Sequence, residues 1–98
     1  MVIKALDLVA RCDTAAQGQI VNRALRPLLA NGGRAELSFE GVFDVPSSFV
    51  NTAIVSLLTD YDESYIKSHL TITNATKQIA DMVRRCLANG VRRVNEGS

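Results

Sequence analysis

Two adjacent serines, Ser47 and Ser48, open an apolar stripe of helical spacing in this 98-residue chain. Hydroxyls at a helix start lie where unpaired amides and the helix dipole favour negative charge, which suits a phosphoacceptor. The plainer role of the same residues is an N-cap, in which Ser47 or Ser48 accepts a backbone hydrogen bond. Other groups able to do chemistry are few: one histidine, His69, and two cysteines, Cys12 and Cys86. These make a poor zinc set, and no phosphate loop, dinucleotide fingerprint or nucleophile elbow occurs. His69 stands beside Lys67 at the head of an alternating segment with no nucleophile at a diagnostic spacing, so it reads as a strand-end residue. No catalytic residue, metal ligand or cofactor is assigned.

The elements that must position the serines follow from periodicity. Residues 2–9 are rich in strand formers and predict a first strand near an edge. Thr14 and Gln17 have the spacing of a capping box. Beyond them Ile20, Val21, Ala24, Leu25, Leu28 and Leu29 form one helical face. Pro27 predicts a kink or a tightened last turn, and Asn31-Gly32-Gly33 a stop. Residues 34–39 alternate as a second strand, and 40–46 form a loop ended by Pro46. Val50, Ala53, Ile54, Leu57, Leu58 and Tyr61 mark a second helix. Acidic residues 60–63 break it, and a short helical turn follows through Lys67. Residues 69–73 alternate as a third strand. Asn74 caps a final helix with Ile79, Met82, Val83, Cys86 and Leu87 inward, closed by Asn89-Gly90. Val91 and Val94 either add a short edge strand or belong to a frayed tail. Helical crossovers of this length require parallel pairing. The expectation is one domain over residues 1–98, an α/β sandwich with a mostly parallel sheet of three to four strands in strand-helix-strand-helix-strand-helix order.

In such sheets function gathers where strands end and helices begin. The junction after Phe39 carries the unusual residues. Leu37-Ser38-Phe39-Glu40-Gly41-Val42, followed by Ser47-Ser48-Phe49-Val50-Asn51, resembles the signature of the STAS-like family of small bacterial and phage-associated domains. The resemblance continues through residues 66–70, 73–79 and 82–83 and includes Gly18. It implies a STAS-like fold and a non-enzymatic regulatory protein-interaction module similar to anti-sigma factor antagonists. In the wider STAS domains the corresponding element is Asp-Ser-Ser-Gly, and its second serine is phosphorylated by a partner kinase. By position that serine is Ser48, with Ser47 its neighbour, while Pro46 replaces the aspartate and Phe49 the glycine. The implied partner is a GHKL-type histidine-kinase-like ATPase. The implied docking surface is Val42, Phe43, Asp44, Val45, Pro46, Ser47, Ser48, Phe49 and Asn51, with Phe43 read as exposed.

Composition narrows the alternatives. Hydrophobic residues make up 47% and charged residues 21% of the chain, which excludes disorder and low complexity. The net charge of +1 gives no general attraction to nucleic acid or acidic membranes. Charge is uneven, however: the first 63 residues carry five bases and eight acids, the remainder six and two. Arg84, Arg85, Arg92 and Arg93 dominate the basic end. They fit a solvated helix terminus, and the alternative function is a nucleic-acid-binding accessory acting through them. No aromatic residue is interleaved with them, which disfavours base stacking. Two cysteines without a signal-like or membrane-spanning segment indicate free thiols and a cytoplasmic location. A chain this small also leaves surface for a homodimer.

Overall fold

Residues Val2–Lys4 (β1), Ala35–Ser38 (β2) and Leu70–Thr73 (β3) pair in the order β1-β2-β3, every neighbour parallel. The computed structural model describes residues 2–96, with side chains as far as Arg93. Between the strands run α1 (Ala5–Leu8), α2 (Ala15–Leu29), α3 (Ser47–Ala53) and α4 (Glu63–His69), and α5 (Lys77–Glu96) follows β3. Short 3-10 turns occupy Ala30–Gly32 and Val55–Thr59. The architecture is the expected α/β one with a parallel sheet.

Register sets the two faces of the sheet. Ile3 lies beside Leu37 and Leu37 beside Ile72, so the apolar positions share one face. That face joins a single core with Val21, Leu25 and Leu29 of α2, Phe49, Val50 and Ala53 of α3, and Ile79 and Val83 of α5. The opposite face aligns Lys4 with Ser38 and Ser38 with Thr73. It is polar, with Val2 59% exposed at its margin and Lys4 and Thr71 also exposed, while Ser38 is buried at 2%. Parallel sheets are ordinarily covered on both faces, and here polar side chains make the open face tolerable.

Capping and close packing define the helices. At α2 the Thr14–Gln17 box forms as expected: the Gln17 amide donates to Thr14 Oγ1 at 3.3 Å, and the Thr14 amide to Gln17 Oε1 at 3.1 Å. Pro27 lies within α2, which tightens beyond Leu29 into a 3-10 turn where Asn31 and Gly32 take positive φ of 58° and 79°. Gly18 faces α3 so closely that a Cβ there would lie 2.6 Å from the Phe49 carbonyl oxygen.

Several expectations are corrected. The first strand ends at Lys4, because Ala5-Leu6-Asp7-Leu8 prefers a helical turn that the Val9 amide closes on the Ala5 carbonyl. Neither Ser47 nor Ser48 caps α3: Pro46 holds the N-cap position in an extended conformation, and its carbonyl accepts from the Val50 amide. The Val50–Tyr61 stripe is not one helix but breaks at Ile54. Asn22 Nδ2, buried in α2, takes the Ala53 carbonyl at 3.1 Å, and Arg26 takes that of Ser56. His69 ends α4 instead of starting β3. Asn74 adopts a φ of 54° in the turn after β3, and Thr76 replaces it as the cap, its hydroxyl accepting from the Ile79 amide. Asn89-Gly90 does not close α5, which runs on to Glu96. Gly90 instead permits contact, since a Cβ there would sit 2.3 Å from Val55 Cγ1. Val91 is therefore helical, forming neither an edge strand nor a frayed tail, and the Val94 side chain lies outside the described residues.

Gly18→Ala tests the α2–α3 contact. Helix propensity alone favours alanine by about 1 kcal/mol. The collision with the Phe49 carbonyl reverses that sign, and a net loss of about 1–3 kcal/mol is expected in urea unfolding.

Candidate functional site

The loop joining β2 to α3 is built by alternately burying and exposing its residues. Phe39 extends the sheet by donating its amide to the Thr73 carbonyl at 3.0 Å, and Gly41, at φ 84°, turns the chain. The Val42 amide then closes on the Phe39 carbonyl at 2.9 Å. Phe39 and Phe49 meet edge to face at 6.4 Å in the core, tying both ends of the loop together. Val45 is buried between them in sequence, at 2% exposure.

Burying Val45 takes its backbone from water without any strand beside it. The Gln78 side chain supplies both missing partners: its Oε1 accepts from the Val45 amide at 3.0 Å, and its Nε2 donates to the Val45 carbonyl at 3.1 Å. Thr76 Oγ1 donates to the Phe43 carbonyl at 2.7 Å. The first turn of α5 thus holds the loop at two carbonyls and one amide.

The result is an outward-facing Phe43, 81% exposed, on a fixed backbone. Asp44, Ser47 and Ser48 are also exposed, while Val42, Pro46 and Asn51 are half-buried. Val45 and Phe49 drop out of the expected contact surface: both belong to the core and hold the loop from below. Beside Phe43 a depression of about 250 Å³ is lined by Leu6, Ala10, Arg11, Cys12, Asp13 and Val42. Cys12 and Cys86 are free and buried. Burial, with a smaller contribution from Asp13, pushes the Cys12 thiol up to about 11. It is a wall of the depression, and its raised value disfavours the thiolate.

The remaining candidates lie elsewhere. Arg84 is paired with Asp81 at 2.5 Å, and Arg85, Arg92 and Arg93 are exposed. At the rise of an α-helix, Arg85 is about 10 Å and Arg92 about 21 Å along α5 from Gln78, so the basic stretch is separate from the loop. His69 stacks on Tyr65 at 3.9 Å, and Tyr65 on Tyr61 at 4.9 Å. The Tyr65 hydroxyl donates to the Leu29 carbonyl and accepts from the Gly32 amide, so this ladder of rings closes the end of α2. His69 Nδ1 lies 2.9 Å from the Tyr65 carbonyl oxygen, an acceptor, which puts the proton on Nδ1. Among the described residues no three His, Cys, Asp or Glu side chains converge as metal ligands. No described helix is long and apolar enough to cross a membrane.

Sequence reasoning missed Thr76 and Gln78 as loop supports and Tyr61-Tyr65-His69 as a stack. The spacing of four between the rings was a usable signal. Nothing local marks Gln78, whose partner is 33 residues away.

A parallel α/β domain whose distinctive feature is a strand-loop-helix with exposed serines and an exposed phenyl ring is STAS-like in class. The family model described as a STAS-like domain of unknown function (DUF4325) matches residues 17–80, and the chain belongs to that family. No curated protein and no solved structure matches it.

Two measurements check this geometry. Gln78→Ala should strip the Val45 amide of its protection from hydrogen exchange and cost about 1–3 kcal/mol, the usual penalty for orphaning buried polar groups. For Cys12, a folded value raised above the unfolded one contributes stability below about pH 9 that is lost as pH rises towards 11. Cys12→Ala should flatten that decline in urea unfolding between pH 8.5 and 11, and iodoacetamide should leave native Cys12 untouched at pH 7.5.

Proposed function

We propose that this domain is a non-enzymatic regulatory module that docks a protein partner through the exposed part of the 42–51 segment, with Phe43 as anchor. The observation that carries the reading is a phenyl ring 81% exposed on a loop whose backbone is already hydrogen-bonded by Thr76 and Gln78. Aromatic side chains dominate interface hot spots. Fixing Phe43 beforehand lowers the entropy lost on binding.

Membership in the STAS-like family supports the partner class, a GHKL-type histidine-kinase-like ATPase, and by analogy an anti-sigma-antagonist type of regulation in the cytoplasm. Such a partner reaches Ser48 and Ser47 on the outer side of the first turn of α3. Phe49, which replaces the glycine of the related motif, turns its ring into the core against Phe39 and leaves Ser48 uncovered. Phosphorylation there adds charge beside Asp44 and changes the docking surface without moving the core.

The test is co-purification and titration calorimetry with a GHKL-type histidine-kinase-like ATPase from the same organism. Phe43→Ala should weaken binding by about 10-fold or more, the effect of losing a hot-spot aromatic. The same change should leave unfolding stability within about 0.5 kcal/mol, as for other surface substitutions. Labelled ATP should mark the wild type and fail to mark Ser48→Ala. Binding unchanged by Phe43→Ala would overturn the docking surface, and label persisting in the Ser47/Ser48 double alanine variant would overturn the phosphoacceptor.

A further inference from the structure

Two exposed features of this chain complement one another. The first is the Phe43 ring with Asp44 beside it. The second lies on another face, where α4, β3 and α5 enclose an apolar cleft of about 390 Å³. Ile66, Leu70, Ile72, Val83 and Leu87 line it, and Lys67, Arg84 and Glu63 stand at its rim. β3 is an edge strand, so the sheet ends here. Leu70, Val83 and Leu87 keep 8%, 9% and 6% exposure here, whereas Leu37, Phe39 and Phe49 keep none.

We propose that the cleft receives Phe43 of a second copy of this chain. Asp44 of the incoming loop then lies between Lys67 and Arg84. Those cations already face Glu63 at 3.4 Å and Asp81 at 2.5 Å, but as exposed pairs they hold each other weakly and accept a further carboxylate. The ring finds apolar walls, the carboxylate finds cations, and neither loop nor cleft has to rearrange, because Thr76 and Gln78 fix one and the core the other.

Knob and cleft are different surfaces, so the contact is heterologous: each copy keeps one free knob and one free cleft, and association proceeds head to tail. One ring and one carboxylate make a small interface, so the complex is weak and concentration-dependent.

Sedimentation velocity up to about 1 mM, the weak end of the affinity scale, reads this directly. The mean mass of the wild type should rise with concentration and fall as added salt screens the Asp44 contact. Phe43→Ala keeps the cleft and loses the knob, whereas Ala88→Trp blocks the mouth of the cleft and keeps the knob. Each alone should be monomeric, and an equimolar mixture should form a heterodimer and stop there. Should circular dichroism show Ala88→Trp misfolded, Lys67→Glu takes its place by repelling Asp44. A wild type monomeric throughout, or a mixture that stays monomeric, overturns the proposal. A dimer indifferent to Phe43→Ala overturns it too and points to pairing of β3 edges instead.

Discussion

An irregular stretch of backbone that passes beneath the surface must find partners for its amides and carbonyls. Residues 40–46 meet that demand through α5. Val45 is buried with no strand alongside, and the Gln78 amide acts as a one-residue strand for it, accepting and donating at once. Thr76 does a comparable double duty, donating to the Phe43 carbonyl and accepting from the Ile79 amide that opens α5. The cap of the last helix and the shape of the loop are therefore one structure. Orphaning the part-buried amide or carbonyl of Val45 costs about 1–3 kcal/mol, enough to bias the loop towards this conformation.

The helix that follows is held with equal economy of means. Seven residues are too few for a helix to persist on intrinsic propensity, so α3 depends on its neighbours. Gly18 lets α2 approach to the distance at which a methyl group would strike the Phe49 carbonyl. At the far end Asn22 donates to the Ala53 carbonyl and to Ser56, and Arg26 accompanies it with bonds to Asn22, Asp60 and Ser56. These bonds stand in for the helical ones lost where the backbone departs at Ile54. The serine-bearing turn is thereby fixed relative to the sheet from one side by α2 and from the other by α5.

Much of this was legible in the chain of residues, and the limits have physical causes. The stripes of α2 and α5 and the alternation of β2 report burial of one face, which sequence periodicity records directly, and the Thr14–Gln17 box reports hydrogen bonding between near neighbours. The parallel sheet followed from the order of elements. What misled was local chemistry overridden by distant contacts. Gly90 looks like a helix terminator but is a site of close passage for Val55. Ser47 and Ser48 look like caps, yet Pro46 already provides the extended residue at which α3 begins. Of the loop residues, Phe43 was legible as exposed because it breaks the apolar rhythm. Val45 was not separable from it, since only the fold shows which way its side chain points.

The polarity of the molecule ties its surfaces together. The proposed docking of a different protein and the proposed contact between copies both use Phe43, so at any single loop one excludes the other. Mass action then makes self-association a threshold: a partner must bind more tightly than a neighbouring copy at the same concentration. On that proposal a weak homotypic contact sets a low threshold while shielding the apolar ring. The same argument explains why the cleft beside β3 is tolerable. An uncharged edge strand of Leu-Thr-Ile-Thr invites unspecific pairing, and the charged rim of Glu63, Lys67 and Arg84 discourages the approach of another bare strand.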